Sequence, residues 1–84
     1  MEERILKKGI YRHFKGKEQW VLGTVLHSET DEEMVVYCNL YGNMQGYVMP
    51  KDRFMSEVDH KKYPKETQKY RFELVKEDEE LEVK

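Results

Sequence analysis

Six tyrosines, three histidines and a single cysteine are the side chains through which this chain could do chemistry. Tyr37, Asn39 and Tyr41 alternate along one stretch, so a strand would place all three on one face. Tyr11 and His13 form a similar pair upstream, and Tyr47 follows a glycine-bounded loop. A buried tyrosine needs a partner for its hydroxyl, so six of them exceed what a small core readily accepts. Gathered on a surface, such rings make a cage for a cation, a groove for an extended peptide or a platform for a base. His13 and Asn39 would add directional hydrogen bonds, and Arg53 an anion contact. Tyr11, His13, Tyr37, Asn39, Tyr41, Tyr47 and Arg53 are therefore the candidate ligand-binding residues. The competing reading is that Tyr37 and Tyr41 merely cover the outer edge of the sheet, because small domains expose aromatics in any case.

The catalytic and metal-binding readings are weaker. No two of His13, His27 and His60 lie two or four residues apart, and there is no cysteine pair to join them on zinc. Cys38 alternates with Met34, Val36 and Leu40, which reads as a buried, inert thiol rather than a nucleophile. Glu29, Asp31, Glu32 and Glu33 lack the ligand spacing and internal glycine of a calcium loop. Ser28 and Thr30 suit hydrogen bonds to the backbone of their own turn. No phosphate-binding Gly-Lys-Ser/Thr loop occurs. No catalytic residue, metal ligand or cofactor is expected. An enzyme would have to use His13 or His27 as base with an acid such as Glu29.

The chain that must position these groups has 84 residues, enough for one domain with a small core. No apolar run approaches the roughly 20 residues of a membrane helix. The opening MEERILKKGIY has neither the apolar region nor the cleavage site of a signal peptide, and the cytosol is the default compartment. Residues 76–84, KEDEELEVK, hold five acids and two lysines, a charge of −3, which leaves +1 for residues 1–75 against −2 for the whole chain. This divides the chain into a domain over 1–75 and an acidic tail over 76–84. The near-neutral body argues against non-specific DNA binding, which needs a basic stripe. Lys61, Lys62, Lys65, Lys69 and Arg71 read as a solvated loop and strand edge.

The apolar pattern has period two. Residues 20–27 and 34–41 alternate and are rich in β-branched and aromatic side chains, as strands are. The polar link 28–32 makes them a hairpin. Gly9 and Gly16 bracket a short first strand, Gly42 to Gly46 a loop, and Tyr47 to Pro50 a fourth strand that the proline ends. Residues 51–55 suit one helical or 3₁₀ turn, with Phe54 and Val58 pinning it. Residues 59–68 read as polar loop and 70–74 as the last strand. Five short strands with almost no helix predict an all-β, partly open, SH3-like barrel, since curling a small sheet protects its face and edges. Trp20, Leu22, Val36, Phe54 and Phe72 are expected in its core.

Assembled in order, Tyr11-Arg12-His13-Phe14-Lys15-Gly16, His27-Ser28-Glu29-Thr30, Val35-Val36-Tyr37 and Leu40-Tyr41-Gly42 resemble a bacterial family catalogued as domain of unknown function 1653. The likeness covers roughly residues 8–58. In that family the string ends in Trp-Val-Arg-Pro, where this chain has Tyr47-Val48-Met49-Pro50. The resemblance implies a small soluble bacterial domain and no established activity.

The residues thus point first to a noncatalytic binding module whose aromatic surface reads a peptide, a modified side chain or a nucleotide. The alternatives are a small hydrolase or transferase built on a histidine–carboxylate pair, and a structural homodimer formed through exposed strand edges.

Overall fold

The computed structural model describes residues 5–78. Five strands and one helical turn follow each other as β1 (Gly9–His13), β2 (Glu18–Leu26), β3 (Glu33–Asn39), β4 (Gly46–Pro50), α1 (Lys51–Phe54) and β5 (Phe72–Glu77). They form one antiparallel sheet in the order β4-β3-β2-β1-β5. The sheet stays open between β4 and β5, and α1 packs against β3 and β4. This is the small, partly open, all-β architecture that the period-two pattern predicts.

Turn chemistry sets the strand ends. Between β1 and β2, the backbone N–H of His13 donates to Lys17 O at 2.7 Å and that of Gly16 to His13 O at 2.7 Å. Gly16 takes a φ of 103°, a region that side chains disfavour. Between β2 and β3, Thr30 Oγ1 accepts from the Glu32 N–H at 3.2 Å, as the sequence suggests for this turn. β5 starts later than expected and runs longer. The Glu73 carboxylate accepts from the N–H groups of Lys69 (3.1 Å) and Tyr70 (3.0 Å), which folds that segment into a turn. Tyr70 is left in an isolated bridge to Glu57. At its other end β5 continues to Glu77, pairing Lys76 with Ile10 and Glu77 with Gly9. Of residues 76–84, those from 79 onward lie outside the described residues.

The expected core needs correcting. Phe54 and Phe72 are buried, but Trp20 is 37% exposed, Leu22 is 47% exposed, and Val36 is only half-buried. The opposite faces of β2 and β3 point inward, with Val21, Val35 and Tyr37 buried. The register accounts for this. Tyr11, Gln19 and Asn39 form one row across the sheet, and Val21, Tyr37 and Tyr47 the next. A bulge between Val21 and Gly23 then shifts the alternation of β2 by one residue. Trp20 sits on the outside and donates from Nε1 to Asp78 Oδ1 at 3.2 Å.

The core is aromatic. Phe54 stacks on Phe72 with centroids 4.2 Å apart and an interplanar angle of 7°. Tyr11 meets Phe54 edge-on at 5.3 Å, and Tyr37 tilts against both phenylalanines at 5.8 Å. The Tyr11 hydroxyl donates to Lys7 O at 2.6 Å and accepts from the Lys7 N–H at 3.0 Å, which is how a tyrosine can be fully buried here. Removing any of these rings costs about 3–5 kcal/mol by the usual cavity arithmetic.

Candidate functional site

A cleft of about 330 Å³ opens at one end of the inner face, lined by His13, Lys15, Lys17, Gln19, Tyr37, Asn39, Tyr41, Tyr47, Met49 and Phe72. That volume lies at the small end of ligand-binding cavities. Five of the seven candidate residues meet there: His13, Tyr37, Asn39, Tyr41 and Tyr47. Tyr11 lies outside the cleft, in the core, and Arg53 is exposed on α1.

Each wall follows from a local feature. β3 and β4 bring Tyr37 opposite Tyr47, and the rings stack at 5.6 Å and 29°. The loop after β3 turns on Gly42 at φ 61° and Met44 at φ 57°, and it leaves Tyr41 exposed at the rim. The tight β1–β2 turn contributes Lys15 and Lys17. Lys17 Nζ stands 4.7 Å from the centroid of the Tyr41 ring, and Lys15 Nζ 5.3 Å from that of Tyr63. Neither ammonium has a carboxylate partner among the described residues. Among the described residues no acidic side chain lines the cleft and two lysines do, so this lining is positive in a chain of net charge −2.

The floor carries a pair of amides. Gln19 and Asn39 face each other across β2 and β3, both at least nine-tenths buried. Gln19 Nε2 donates to Asn39 Oδ1 at 3.3 Å, and Gln19 Oε1 is buried without a hydrogen-bond partner among the described residues. Buried polar atoms are normally satisfied, so an orphan acceptor beside a cleft is a feature with a purpose to explain.

His13 stacks on Phe14 at 4.4 Å and meets Phe72 edge-on at 5.0 Å. Its Nδ1 accepts from the Lys15 N–H at 3.0 Å, which leaves Nε2 to carry the proton of the neutral ring. Burial, aided by the charges of Arg71 and Lys15 and opposed by Glu66, lowers its pKa below 6.5. Burial, with Tyr47 and Tyr41 nearby, raises the pKa of Tyr37, which keeps its hydroxyl protonated.

His27 is exposed in the β2–β3 turn, where Nδ1 accepts the Glu29 backbone N–H at 3.1 Å. His60 is exposed and within 3.2 Å of Gln68 O. No group of three metal-ligating side chains forms among the described residues. Cys38 is half-buried on the outer face, away from the cleft. No helix among the described residues is long and apolar enough to cross a membrane.

The motif reading did not single out Lys15, Lys17, Gln19, Met49 and Phe72 for this site. Gln19 had one usable signal, its shared parity with Val21. The two lysines had only their place around a glycine turn.

The family described as "Protein of unknown function (DUF1653)" matches residues 9–74. A crystal structure of a DUF1653 protein from Bordetella bronchiseptica is similar to this chain at 29% identity and a TM-score of 0.72, covering 86% of this chain and 90% of that one. No curated protein matches. The chain that folds into this five-stranded sheet thus belongs to the DUF1653 family.

Proposed function

We propose that this protein is a noncatalytic binding module whose cleft takes a nucleotide, with the base against Tyr41 and Tyr47 and the phosphate toward Lys15 and Lys17. The observation that carries this reading is the meeting, in one cleft, of two exposed tyrosines, a polar floor and two lysines that have no carboxylate partner and no acidic neighbour in the lining among the described residues. Base–aromatic stacking is tolerant of sequence, and lysines supply the phosphate charge. The same geometry weighs against the other ligands. A cage for a cationic side chain would have to hold that cation beside the ammonium groups of Lys15 and Lys17, with no carboxylate in the lining among the described residues to offset them. The hydrolase reading needs a histidine hydrogen-bonded to a carboxylate. Among the described residues one ring nitrogen of each histidine meets a backbone group instead: His13 Nδ1, His27 Nδ1 and His60 Nε2.

Titration of the ¹⁵N-labelled chain with adenosine 5′-monophosphate tests the proposal. Saturable amide shifts at Lys17, Asn39, Tyr41 and Tyr47, weakened by salt and absent with ribose 5-phosphate alone, support it. Absence of shifts at millimolar nucleotide, or shifts scattered over the outer face, would refute it.

A further inference from the structure

Residues 61–71 hold five cations and one acid, a charge of +4, whereas residues 1–75 as a whole carry only +1. The tertiary structure sets this segment beside the cleft, and Phe14 joins the two. Its ring stacks on His13 of the cleft lining at 4.4 Å and tilts against Tyr63 at 5.0 Å. Its backbone N–H donates to Arg71 O at 2.9 Å. Two ammoniums, one from the β1–β2 turn and one from the connection to β5, converge on the Tyr63 ring. Lys15 Nζ stands 5.3 Å and Lys62 Nζ 5.4 Å from its centroid. The turn that carries Lys62 is fixed, because Asp59 Oδ1 accepts the backbone N–H groups of Lys61 at 3.1 Å and Lys62 at 3.3 Å. Neither Glu66 nor any other carboxylate pairs with Lys15, Lys17 or Lys62 among the described residues. Like charges gathered without an acid repel one another, and a bound polyanion relieves that cost.

We infer that the nucleotide in the cleft is one unit of a single-stranded nucleic acid, whose backbone leaves the cleft past Lys15 and runs over Lys62 on the connection between α1 and β5. This rests on the nucleotide reading of the cleft and adds to it what kind of molecule carries the nucleotide. Cations that follow the backbone, next to rings that stack bases, hold single strands without regard to sequence. A duplex does not suit the site, because its bases are stacked on one another and cannot lie against Tyr41 and Tyr47. A mononucleotide held by Lys15 and Lys17 leaves Lys62 without a counter-charge. An acidic peptide would meet the lysines but brings no base to the rings.

The deciding experiment titrates the ¹⁵N-labelled full chain, at several salt concentrations, with adenosine 5′-monophosphate and with the 5′-phosphorylated tetranucleotides of riboadenylate and deoxyriboadenylate. At least one tetranucleotide is expected to bind about thirtyfold tighter than the mononucleotide, more than its number of units alone gives and within the range of one further charged hydrogen bond. It should add amide shifts at residues 61–63 to those in the cleft. Its affinity should fall with salt by a logarithmic slope of about 0.7 for each phosphate neutralised. Lys62 is exposed, so Lys62→Gln keeps the fold. This variant should bind the tetranucleotide about tenfold more weakly and lose about 0.7 of the slope. Lys76→Gln makes the same change of charge in the row of Trp20, on the outer face, and should do neither. Equal losses in the two variants overturn the track over Lys62 and leave the nucleotide reading standing. So does a tetranucleotide that binds as the mononucleotide does, with no shifts at residues 61–63. Tetraglutamate binding with equal affinity and the same shifts overturns the track in favour of an acidic peptide. If neither the mononucleotide nor the tetranucleotides shift the cleft amides, the two readings fall together.

Discussion

Tyr47 lies over Tyr37 with ring centroids 5.6 Å apart, one ring 45% exposed and the other 8%. Tyr37 continues inward to Phe54 and Phe72. The wall of the cleft is therefore mounted directly on the aromatic core, and the two tyrosines divide the work. Tyr37 holds the fold and orients its neighbour, while Tyr47 offers a ring to solvent.

That division predicts opposite behaviour for two similar truncations. Tyr37→Ala removes a core ring and should lose about 3 kcal/mol, lowering the thermal midpoint by more than about 10 °C in a domain of this size. Tyr47→Ala should keep the midpoint within about 4 °C and weaken nucleotide binding by about 1–3 kcal/mol, the range for one stacked base. Thermal melts followed by circular dichroism, with shift titrations on both variants, check this. Equal losses of stability would place Tyr47 in the core as well.

The inside-out arrangement of β2 predicts that its tryptophan matters less than its size suggests. Trp20→Ala should cost less stability than Phe54→Ala, because Trp20 is more than a third exposed and Phe54 is fully buried. Urea unfolding of the two variants gives the ranking directly, and a larger loss for Trp20→Ala would contradict it.

Gly9 takes a φ of 147°, and a Cβ placed on it would run into the carbonyl oxygen of Lys76 on β5. Gly16 also has a positive φ, but nothing stands within 4 Å of its would-be Cβ. Both alanine variants pay for the backbone conformation, and only Gly9→Ala must also part β1 from β5. It should therefore be the more destabilising of the two in thermal melts, with hydrogen exchange accelerated first along β5.

His13 makes stability depend on pH with a definite sign. Its folded pKa lies below 6.5, so between that lowered value and 6.5 the unfolded chain binds more protons. The contribution is fully present above the unfolded pKa and is lost as pH falls through the window beneath it. Arg71 and Lys15 enlarge the effect and Glu66 opposes it. Urea midpoints of His13→Gln should fall less than those of the wild type between neutral pH and pH 5. Parallel profiles would remove His13 as the source.

Lys17 stands over Tyr41 without a carboxylate partner among the described residues, so its charge is available to a ligand. Lys17→Gln should leave the thermal midpoint nearly unchanged and weaken adenosine 5′-monophosphate about tenfold, the effect of one lost charged hydrogen bond. The salt dependence of the remaining affinity should become shallower. An unchanged affinity would remove Lys17 from the phosphate position.

The sequence by itself determined how many elements there are and of what kind. Alternation across residues 20–27 and 34–41 shows strands, the glycines at 9, 16, 42 and 46 mark where they begin or turn, and Pro50 ends the fourth. The crowding of tyrosines and the ordered family motifs were also legible, and they drew attention to five residues that do meet in the cleft. Which face turns inward was decided only by the tertiary structure. In β2 and β3 both faces are apolar: Trp20 and Leu22 back onto Val21, and Val36 and Cys38 onto Val35 and Tyr37. Alternation then permits two registers of opposite sense. The choice falls to long-range contacts, because Phe54 from α1 and Phe72 from β5 stack on the side that carries Tyr11 and Tyr37. The bulge between Val21 and Gly23 then turns the far half of β2 over. The same reason hid Gln19, Lys15 and Lys17. A glutamine among alternating residues and two lysines beside a glycine look like solvated positions until the sheet curls and brings them over the Tyr37 side of β3.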